Sequence, residues 1–484
     1  MRLRTRDLPV FPVSAGPVRP DVRPDVRAVD PHSFAIGPED GPRLGLVTLG
    51  CDKNTVDSEH MMAALVASGA RVTSEVEDAE VVVVNTCGFI DAAKEQSIDT
   101  ILGACELKAR GRVRAVVAVG CMVQRYRAEM EEEIPEVDLF LGIAEMARLV
   151  PELRARGLVG ESFVPNMERP LRILTSETPH VSYLKVSEGC DHRCAFCAIP
   201  HMRGLHRSAD LHALVAEARE LGERGVRELN LVSQDTTWYG RDLRRRDRSA
   251  PLLHDLLEAL VEGTEVDWYR LLYMYPSGIT PRLVRLIARE PRLLPYLDMP
   301  LQHGSDAVLA RMRRPERQAT VRERVRWLRD EIDDLTLRTT VIVGFPGETE
   351  DDVRIMMDFL EEISFDRVGA FAYSIEEGTA AAAMPDQVPD QLKAERLEMV
   401  MEHQRDLSLE SNLARVGTRA QLLVDELTPG EAGHEAVGRT QGQAIEVDGQ
   451  TLLASAGAAR PGEIVEVEIV EAGDYDLFGR VIDA

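Results

Sequence analysis

The sequence predicts a multidomain α/β chain: an N-terminal parallel-sheet α/β domain, a central partial (β/α)6 barrel and a small all-β C-terminal domain. Three observations carry this prediction. From residue 44 to about 150, Val-rich runs alternate with helical stretches, and continuous apolar runs mark strands buried on both faces of a parallel sheet. From 181 to 373, six further strand–helix units follow in series, the pattern of a barrel left open on one side. From about 414, short period-2 strands alternate with Gly-rich turns.

Residues 1–42 mix Pro, Arg, Asp and Val without helical or strand period and are expected to form a disordered leader. In the first domain, 43–155, strands are expected at 44–49, 81–84 and 115–119, with helices at 57–68 and about 92–109; Gly69 stops the first helix. A linker containing Pro165, Pro170 and Pro179 spans 156–180. The barrel domain, 181–413, has strands expected at 181–187, 228–233, 268–274, 296–301, 338–343 and 367–373. Helical patterns lie near 209–222, 252–262, 281–289, 318–332 and 350–362, followed by an Ala/Pro loop and a long helix at 391–413. In the tail, 414–484, strands are expected at 420–424, 443–447 and 464–469.

Bulk properties narrow the function. No apolar run approaches the ~20 residues needed to cross a bilayer, and the N-terminus lacks the apolar core of a signal peptide. The chain is therefore expected in the cytoplasm, where cysteines bind metals or do chemistry rather than pair. The net charge of −25 argues against a nucleic-acid partner, which calls for a basic stripe, and for a basic one. Solubility alone is the plainer explanation of the same acidity.

Six of the seven cysteines fall into two groups of three. Cys190, Cys194 and Cys197 form C-x₃-C-x₂-C on one loop after the first barrel strand. Cys51, Cys87 and Cys121 each follow a strand of the first domain. In open parallel sheets sites form at the carboxyl ends of strands, so folding is expected to gather these three on one edge. Three thiolates suit a [4Fe–4S] cubane, whose fourth iron is left open. On the short loop, that open iron would chelate the amino and carboxylate groups of S-adenosylmethionine. The alternative there is zinc, which prefers four protein ligands and C-x₂-C pairs. For the spread group the alternative is ordinary core cysteine. Cys105 shares a helical stripe with Ile98, Ile101 and Leu102 and is assigned to the core.

These motifs give the chain a resemblance to the methylthiotransferase branch of the radical S-adenosylmethionine enzymes, covering about residues 44–484. It rests on Leu49-Gly50-Cys51-Asp52-Lys53-Asn54, Asn85-Thr86-Cys87-Gly88-Phe89-Ile90, Gly120-Cys121, and the cysteine loop running through Ile199-Pro200 to Arg203-Gly204. Within that branch, Ser233-Gln234-Asp235-Thr236-Thr237 with Tyr239-Gly240 resembles the RimO type. The resemblance implies methylthiolation of an aspartate β-carbon in small-subunit ribosomal protein twelve. It further implies a radical cluster on Cys190, Cys194 and Cys197 and an auxiliary cluster on Cys51, Cys87 and Cys121. A TRAM-like tail, an electron donor and contact with the ribosomal subunit complete the implied set. Asp52 departs from the family, where proline is common, and stands beside a cluster ligand.

The softer candidates are polar residues at strand ends. Ser233, Gln234 and Asp235 are expected to face S-adenosylmethionine or substrate, or else to cap a loop. Arg203 and Arg207 are expected to pair with a carboxylate of one or the other, or to be surface arginines. Gln302, His303 and the Gly344-Phe345-Pro346-Gly347 turn stand at later strand ends. Arg241, Arg244, Arg245, Arg246 and Arg248 crowd one loop that is expected to be solvated rather than to touch RNA. No side-chain acid/base group is needed, since an unactivated C–H bond has no acidic proton. From 414 to 484 there are five Arg, no Lys and thirteen Asp plus Glu, a balance that disfavours tRNA and suits a basic protein. Two other readings stand beside this one: a tRNA methylthiotransferase of the same branch, and a non-catalytic iron–sulfur adaptor docking on the ribosome.

Overall fold

The computed structural model describes residues 35–160, 172–175, 178–431 and 433–482. Residues 1–34 of the expected leader, with 161–171 and 176–177 of the expected linker, lie outside the described residues.

The first sheet contains β1 (Ala35–Ile36), β2 (Arg43–Thr48), β3 (Arg71–Thr73), β4 (Val81–Thr86), β5 (Ala115–Gly120) and β6 (Leu139–Gly142). Its order is β1-β3-β2-β4-β5-β6, parallel throughout except for β1. Helices α1 (Asp52–Ala67), α2 (Asp91–Ala109), α3 (Cys121–Glu133) and α4 (Leu149–Ala155) cover it. Every residue of β4 and β5 is buried. Val81, Val83 and Val117 pack on one face with Met62 and Leu65. Val82, Val84 and Val116 pack on the other with Ile101 and Cys105. Burying each such side chain is worth roughly 1.5–3 kcal/mol, which is why the valine runs decide this sheet. Helix α1 begins at Asp52, five residues earlier than expected, because Lys53, Asn54, Asp57, Ser58 and Glu59 are buried polar groups and conceal the apolar period. Strands β1, β3 and β6 are too short to give a sequence signal.

The second sheet holds β7 (Val181–Lys185), β10 (Glu228–Val232), β11 (Trp268–Leu271), β12 (Leu293–Asp298), β13 (Thr336–Val343) and β14 (Arg367–Ala372), all parallel. Strands β8 (Ser187–Glu188) and β9 (Arg207–Ser208) form a separate antiparallel ribbon. The order β14-β13-β12-β11-β10-β7 leaves β7 and β14 as edges, the open barrel expected from the series. Its helices are α5 (Ile199–Arg203), α6 (Leu211–Glu223), α7 (Arg241–Arg244), α8 (Leu253–Gly263), α9 (Pro281–Arg289), α10 (Asp306–Arg311), α11 (Gln318–Glu331), α12 (Glu350–Ile363) and α13 (Asp390–Leu413). Leu229, Leu231, Tyr269 and Leu271 join the core against these helices. Glu228, Asn230 and Arg270 alternate with them and are likewise buried, so the inner face of the barrel mixes these polar groups with the apolar Val181, Val232 and Trp268.

The tail closes into a five-stranded barrel, β15 (Arg419–Glu431), β16 (His434–Thr440), β17 (Thr451–Leu453), β19 (Leu477–Val481) and β18 (Ile464–Ala472) in order. The strand expected at 443–447 is instead a turn. Gln443 is fully buried and its Oε1 accepts from Thr440 and Thr451, Ala444 N donates to Asp448, and Glu446 takes φ 65°. The tail packs Leu423 and Ala444 on Val181, Trp268 and Tyr296 of the large barrel. Glu228 of β10 lies between Arg270 and Arg439, 2.7 Å from each. Among the described residues no helix is long and apolar enough to cross a membrane.

Candidate functional site

Cys51, Cys87 and Cys121 stand where β2, β4 and β5 give way to loop or helix. Gly50 and Gly120 have φ of 99° and 107°, which glycine adopts freely. A Cβ on Gly50 would stand 2.9 Å from Cys87 Sγ, so the turn before Cys51 presses directly on the second thiol. Asn54 binds the edge together: its Nδ2 donates to Leu49 O at 2.6 Å and Thr86 O at 3.2 Å, and its Oδ1 faces Cys121 Sγ at 3.9 Å. The three thiols lie within electrostatic reach of one another. Burial pushes the Cys121 thiol up to about 12, against the pull of Arg203, and raises Cys87 as well. Asp52 pairs with Lys53 at 3.1 Å, and Lys53 Nζ sits 3.3 Å over the Tyr273 ring.

The second group occupies the loop between β8 and α5, pinned by Cys190 N to Gly204 O, Ala195 N to Met312 O and Cys197 N to Cys194 O. Burial pushes Cys190 and Cys197 up to about 12, and the neighbouring thiols add to it. Cys194 has two polar neighbours, Arg314 Nη1 at 3.8 Å and Tyr275 OH at 3.9 Å. Arg314 stacks 3.8 Å over the Tyr275 ring, and His192 stacks on the same ring at 3.9 Å. His192 Nε2 meets Asp235 Oδ2 at 2.7 Å; Asp235 N donates to Ser233 Oγ, and Asp235 Oδ1 accepts from Thr237 N. Ser233 and Asp235 are thus brought to the cysteine loop through His192, while Gln234 beside them is half-buried.

One short helix joins the two groups. Helix α5 starts after Cys197, and Ala198 and Met202 pack against Cys121. It ends at Arg203, which is 3% exposed. Arg203 donates to Asn54 at 2.6 Å, to Glu188 at 2.9 Å and to Asp57 at 3.3 Å. It therefore has carboxylate partners within the chain and turns toward Cys51 and Cys121. Lys185 pairs with Asp57 and Glu188 beside it. On the other flank Glu376 pairs with Arg125 at 2.7 Å and Lys94 at 2.9 Å. Arg207 opens β9 and is exposed.

The remaining candidates have local roles. Gly344 N and Phe345 N donate to the carboxylate of Glu348, which also pairs with Arg396; the glycine turn cradles the chain's own anion. Gln302 takes φ 80°, and buried His303 accepts from Ser305 N. In the arginine loop, Arg245 pairs with Asp191 at 2.9 Å and Arg241 lies over Trp238. Sequence reasoning missed Asn54, Asp57, Tyr275, Arg314 and Glu376. Tyr275 follows β11 and had a positional signal; Arg314 is indistinguishable among so many arginines.

A groove of ≈ 950 Å³ opens beside Cys51, where the three domains meet. Glu59, Asp425, Glu426, Glu446 and Asp448 line it against one arginine, Arg439, which is already paired with Glu228 and Asp425.

All described cysteines are free thiols. Among the described residues no three His, Cys, Asp or Glu side chains converge as a single metal ion requires. A cubane asks for less convergence, since each thiolate takes a different iron. The donor set, three thiols per group on glycine-bearing turns, fits such clusters.

Three families match the chain: Uncharacterized protein family UPF0004 over residues 43–142, the radical SAM superfamily over 184–360 and the TRAM domain over 416–482. A protein named ribosomal protein uS12 methylthiotransferase RimO from Desulforudis audaxviator is 45% identical over 452 residues, covering 91% of this chain and 97% of that one. Its namesake from Geobacter sulfurreducens is 42% identical, covering 91% and 98%. Among solved structures, the cobalamin-dependent S-adenosylmethionine radical enzyme OxsB, with aqua-cobalamin and S-adenosylmethionine bound, aligns with a TM-score of 0.50 at 14% identity. That alignment covers 75% of this chain and 56% of OxsB. At that identity it shows a shared fold alone.

Proposed function

The chain belongs to the RimO family of radical S-adenosylmethionine methylthiotransferases, and from that membership we propose that it methylthiolates ribosomal protein uS12 at the β-carbon of one aspartate. The observation that carries this reading is the pairing of two cysteine triads across one five-residue helix. Two thiol groups so close would let two clusters serve one substrate carbon, one as the source of the hydrogen-abstracting radical and the other as the holder of the sulfur group.

Cys190, Cys194 and Cys197 would hold the radical cluster, and Cys51, Cys87 and Cys121 the auxiliary one. When bound, the radical cluster supplies the electron that cleaves S-adenosylmethionine, and the auxiliary one supplies an open iron for the sulfur or methylthio group. The chain's own residues position and shield. Arg314 and Tyr275 flank the half-buried Cys194 and bring a cation and a hydroxyl to its sulfur. The Ser233–Asp235–His192 chain fixes the loop that carries the cysteines. Asn54 and Arg203 lock the auxiliary edge against α5. Asp235 is engaged by His192 and Thr237 and orients the loop rather than moving protons.

The groove beside Cys51 supports a basic polypeptide as substrate. Glu59, Asp425 and Asp448 are paired with Arg172, Arg439 and Arg338, which leaves Glu426 and Glu446 to attract cationic segments, and a tail with five Arg, no Lys and thirteen acids is poorly suited to tRNA. The test is the intact mass of uS12 from cells with and without this gene. A methylthio-sized loss in the knockout, localised to one aspartate, is expected. An unchanged mass overturns the substrate assignment and turns attention to tRNA nucleosides.

A further inference from the structure

Helix α13 buries polar side chains where a helix covering a sheet edge ordinarily buries apolar ones. Val400, Gln404, Ser408 and Asn412 recur at four-residue spacing, and the last three are at most 1% exposed. They run along the edge strand β14: Arg367 Nη1 donates to Ser408 Oγ and Nη2 to Asn412 Oδ1, both at 3.1 Å. Between α13, β14 and the turn at 447–449 of the tail lies a cleft of ≈ 400 Å³, within the range of small-molecule sites.

Three of the side chains lining this cleft, Arg367, Gln404 and Asp448, have buried polar atoms without a hydrogen-bond partner. Arg367 is 7% exposed; its Nε has no partner, and it makes no ion pair among the described residues. The arginine beside it in the sheet, Arg338, is by contrast engaged by Asp298 at 2.9 Å and Asp448 at 3.7 Å. Gln404 is 1% exposed, and both its Nε2 and its Oε1 lack partners. Buried donors and acceptors are rarely left unpaired, because each forfeits its hydration. The floor is Gly369, where a Cβ would stand 3.3 Å from Arg338 Nη2. The one carboxylate in the lining, Asp448, has its Oδ2 held by Tyr296 OH and Ala444 N; its Oδ1 has no hydrogen-bond partner but lies 3.7 Å from Arg338 Nε, whose charge offsets it.

We propose that this cleft binds a small oxyanion, of the phosphate or hydroxycarboxylate class, at the joint between barrel and tail. Its oxygens accept from Arg367 Nε and Gln404 Nε2, and its hydroxyl donates to Gln404 Oε1. The site lies toward the starts of β13 and β14, whereas the cysteine loop follows the end of β7. It shares only Asp448 with the acidic groove. Because the cleft touches α13, β14 and the tail at once, occupancy clamps the tail to the barrel edge and stabilises the whole chain.

The test is thermal unfolding of the full-length reconstituted protein in sodium phosphate, sodium lactate or sodium chloride at matched ionic strength. A Tm that rises and saturates with phosphate or lactate beyond chloride is expected. That extra rise disappears in Gln404→Met and in Gly369→Ala. Gln404→Met keeps the volume and removes the unpaired amide, so without ligand it melts at or above the wild-type temperature, which separates lost binding from lost folding. A response to phosphate alone or to lactate alone supports the site and names the class. Equal Tm in all three salts, or a response that survives both substitutions, overturns it.

Discussion

Arg203 Nη2 donates a 2.6 Å hydrogen bond to Asn54 Oδ1 across the joint between the first domain and the barrel, with both residues buried. The same guanidinium holds Glu188 and Asp57, and the same amide oxygen faces Cys121 Sγ. Removing the cation leaves two carboxylates in a buried site with only Lys185 to balance them. Arg203→Met is expected to destabilise the chain by about 3–5 kcal/mol, the cost of breaking a buried pair. It is also expected to lower iron bound at Cys51, Cys87 and Cys121 more than at the loop cysteines. Denaturant melts and iron content, compared with a variant lacking the loop cysteines, check both outcomes.

Arg314→Met tests the other site. Arg314 places a cation 3.8 Å from Cys194 and stacks on Tyr275. A positive donor on a ligand sulfur favours the reduced state of a cluster, so its loss is expected to move the midpoint potential downward. Activity or cluster retention is expected to fall roughly 10–100-fold. Tyr275→Phe removes the weaker contact and leaves Glu316 paired with Arg314 at 3.1 Å, so it should give a smaller shift in the same direction. A redox titration followed by electron paramagnetic resonance reads both, and an unmoved potential in each would remove the assigned role.

The joint should also be acid-labile. Burial pushes the Glu188 carboxyl up, but Lys185 and Arg203 outweigh it and hold it at about 2, below its ordinary 4.5. A carboxyl whose pKa is depressed on folding contributes stability above its unfolded pKa, and that contribution is lost as pH falls through the folded one. At about 1.4 kcal/mol per pKa unit, the displacement is worth roughly 3 kcal/mol at neutral pH. Stability should therefore fall from about pH 4.5 toward pH 2, and Glu188→Gln should flatten that dependence while lowering stability at pH 7. Melts across the range in both proteins decide it.

The parts of this molecule that follow a period were legible in the sequence, and the parts that depend on buried charge were not. The valine runs of β4 and β5 gave both strands and put Cys87 and Cys121 at their ends, because a short β-branched run bounded by turn residues favours a strand buried on both faces. The same logic found all six barrel strands. It missed the start of α1, where Lys53, Asn54 and Asp57 resemble solvent-facing residues until Arg203 and Tyr273 arrive from another domain. For Arg203 the sequence placed the residue beside the cysteine loop but did not reveal Asp57 and Glu188, the carboxylates of this chain that pair with it. The strand expected at 443–447 was lost to buried Gln443, whose hydrogen bonds to Thr440 and Thr451 favour a turn over local propensity.

Charge reversal in the groove beside Cys51 tests the substrate class. Glu426 is exposed, lines the groove and belongs to the tail rather than to either cysteine group. As a surface position it should cost no more than about 0.5 kcal/mol of stability when replaced. If a basic segment of uS12 enters here, Glu426→Lys removes one attractive charge and adds a repulsive one along its path. The KM for uS12 should then rise, most at low ionic strength, where surface charges are screened least. The rate of S-adenosylmethionine cleavage without uS12 should be unchanged, since no group at the cysteine loop is altered. Raising salt should narrow the gap between variant and wild type, because the charge difference that separates them is screened. A KM that is unchanged at every salt concentration would show that the substrate approaches by another face, and the acidity of the tail would then serve only solubility.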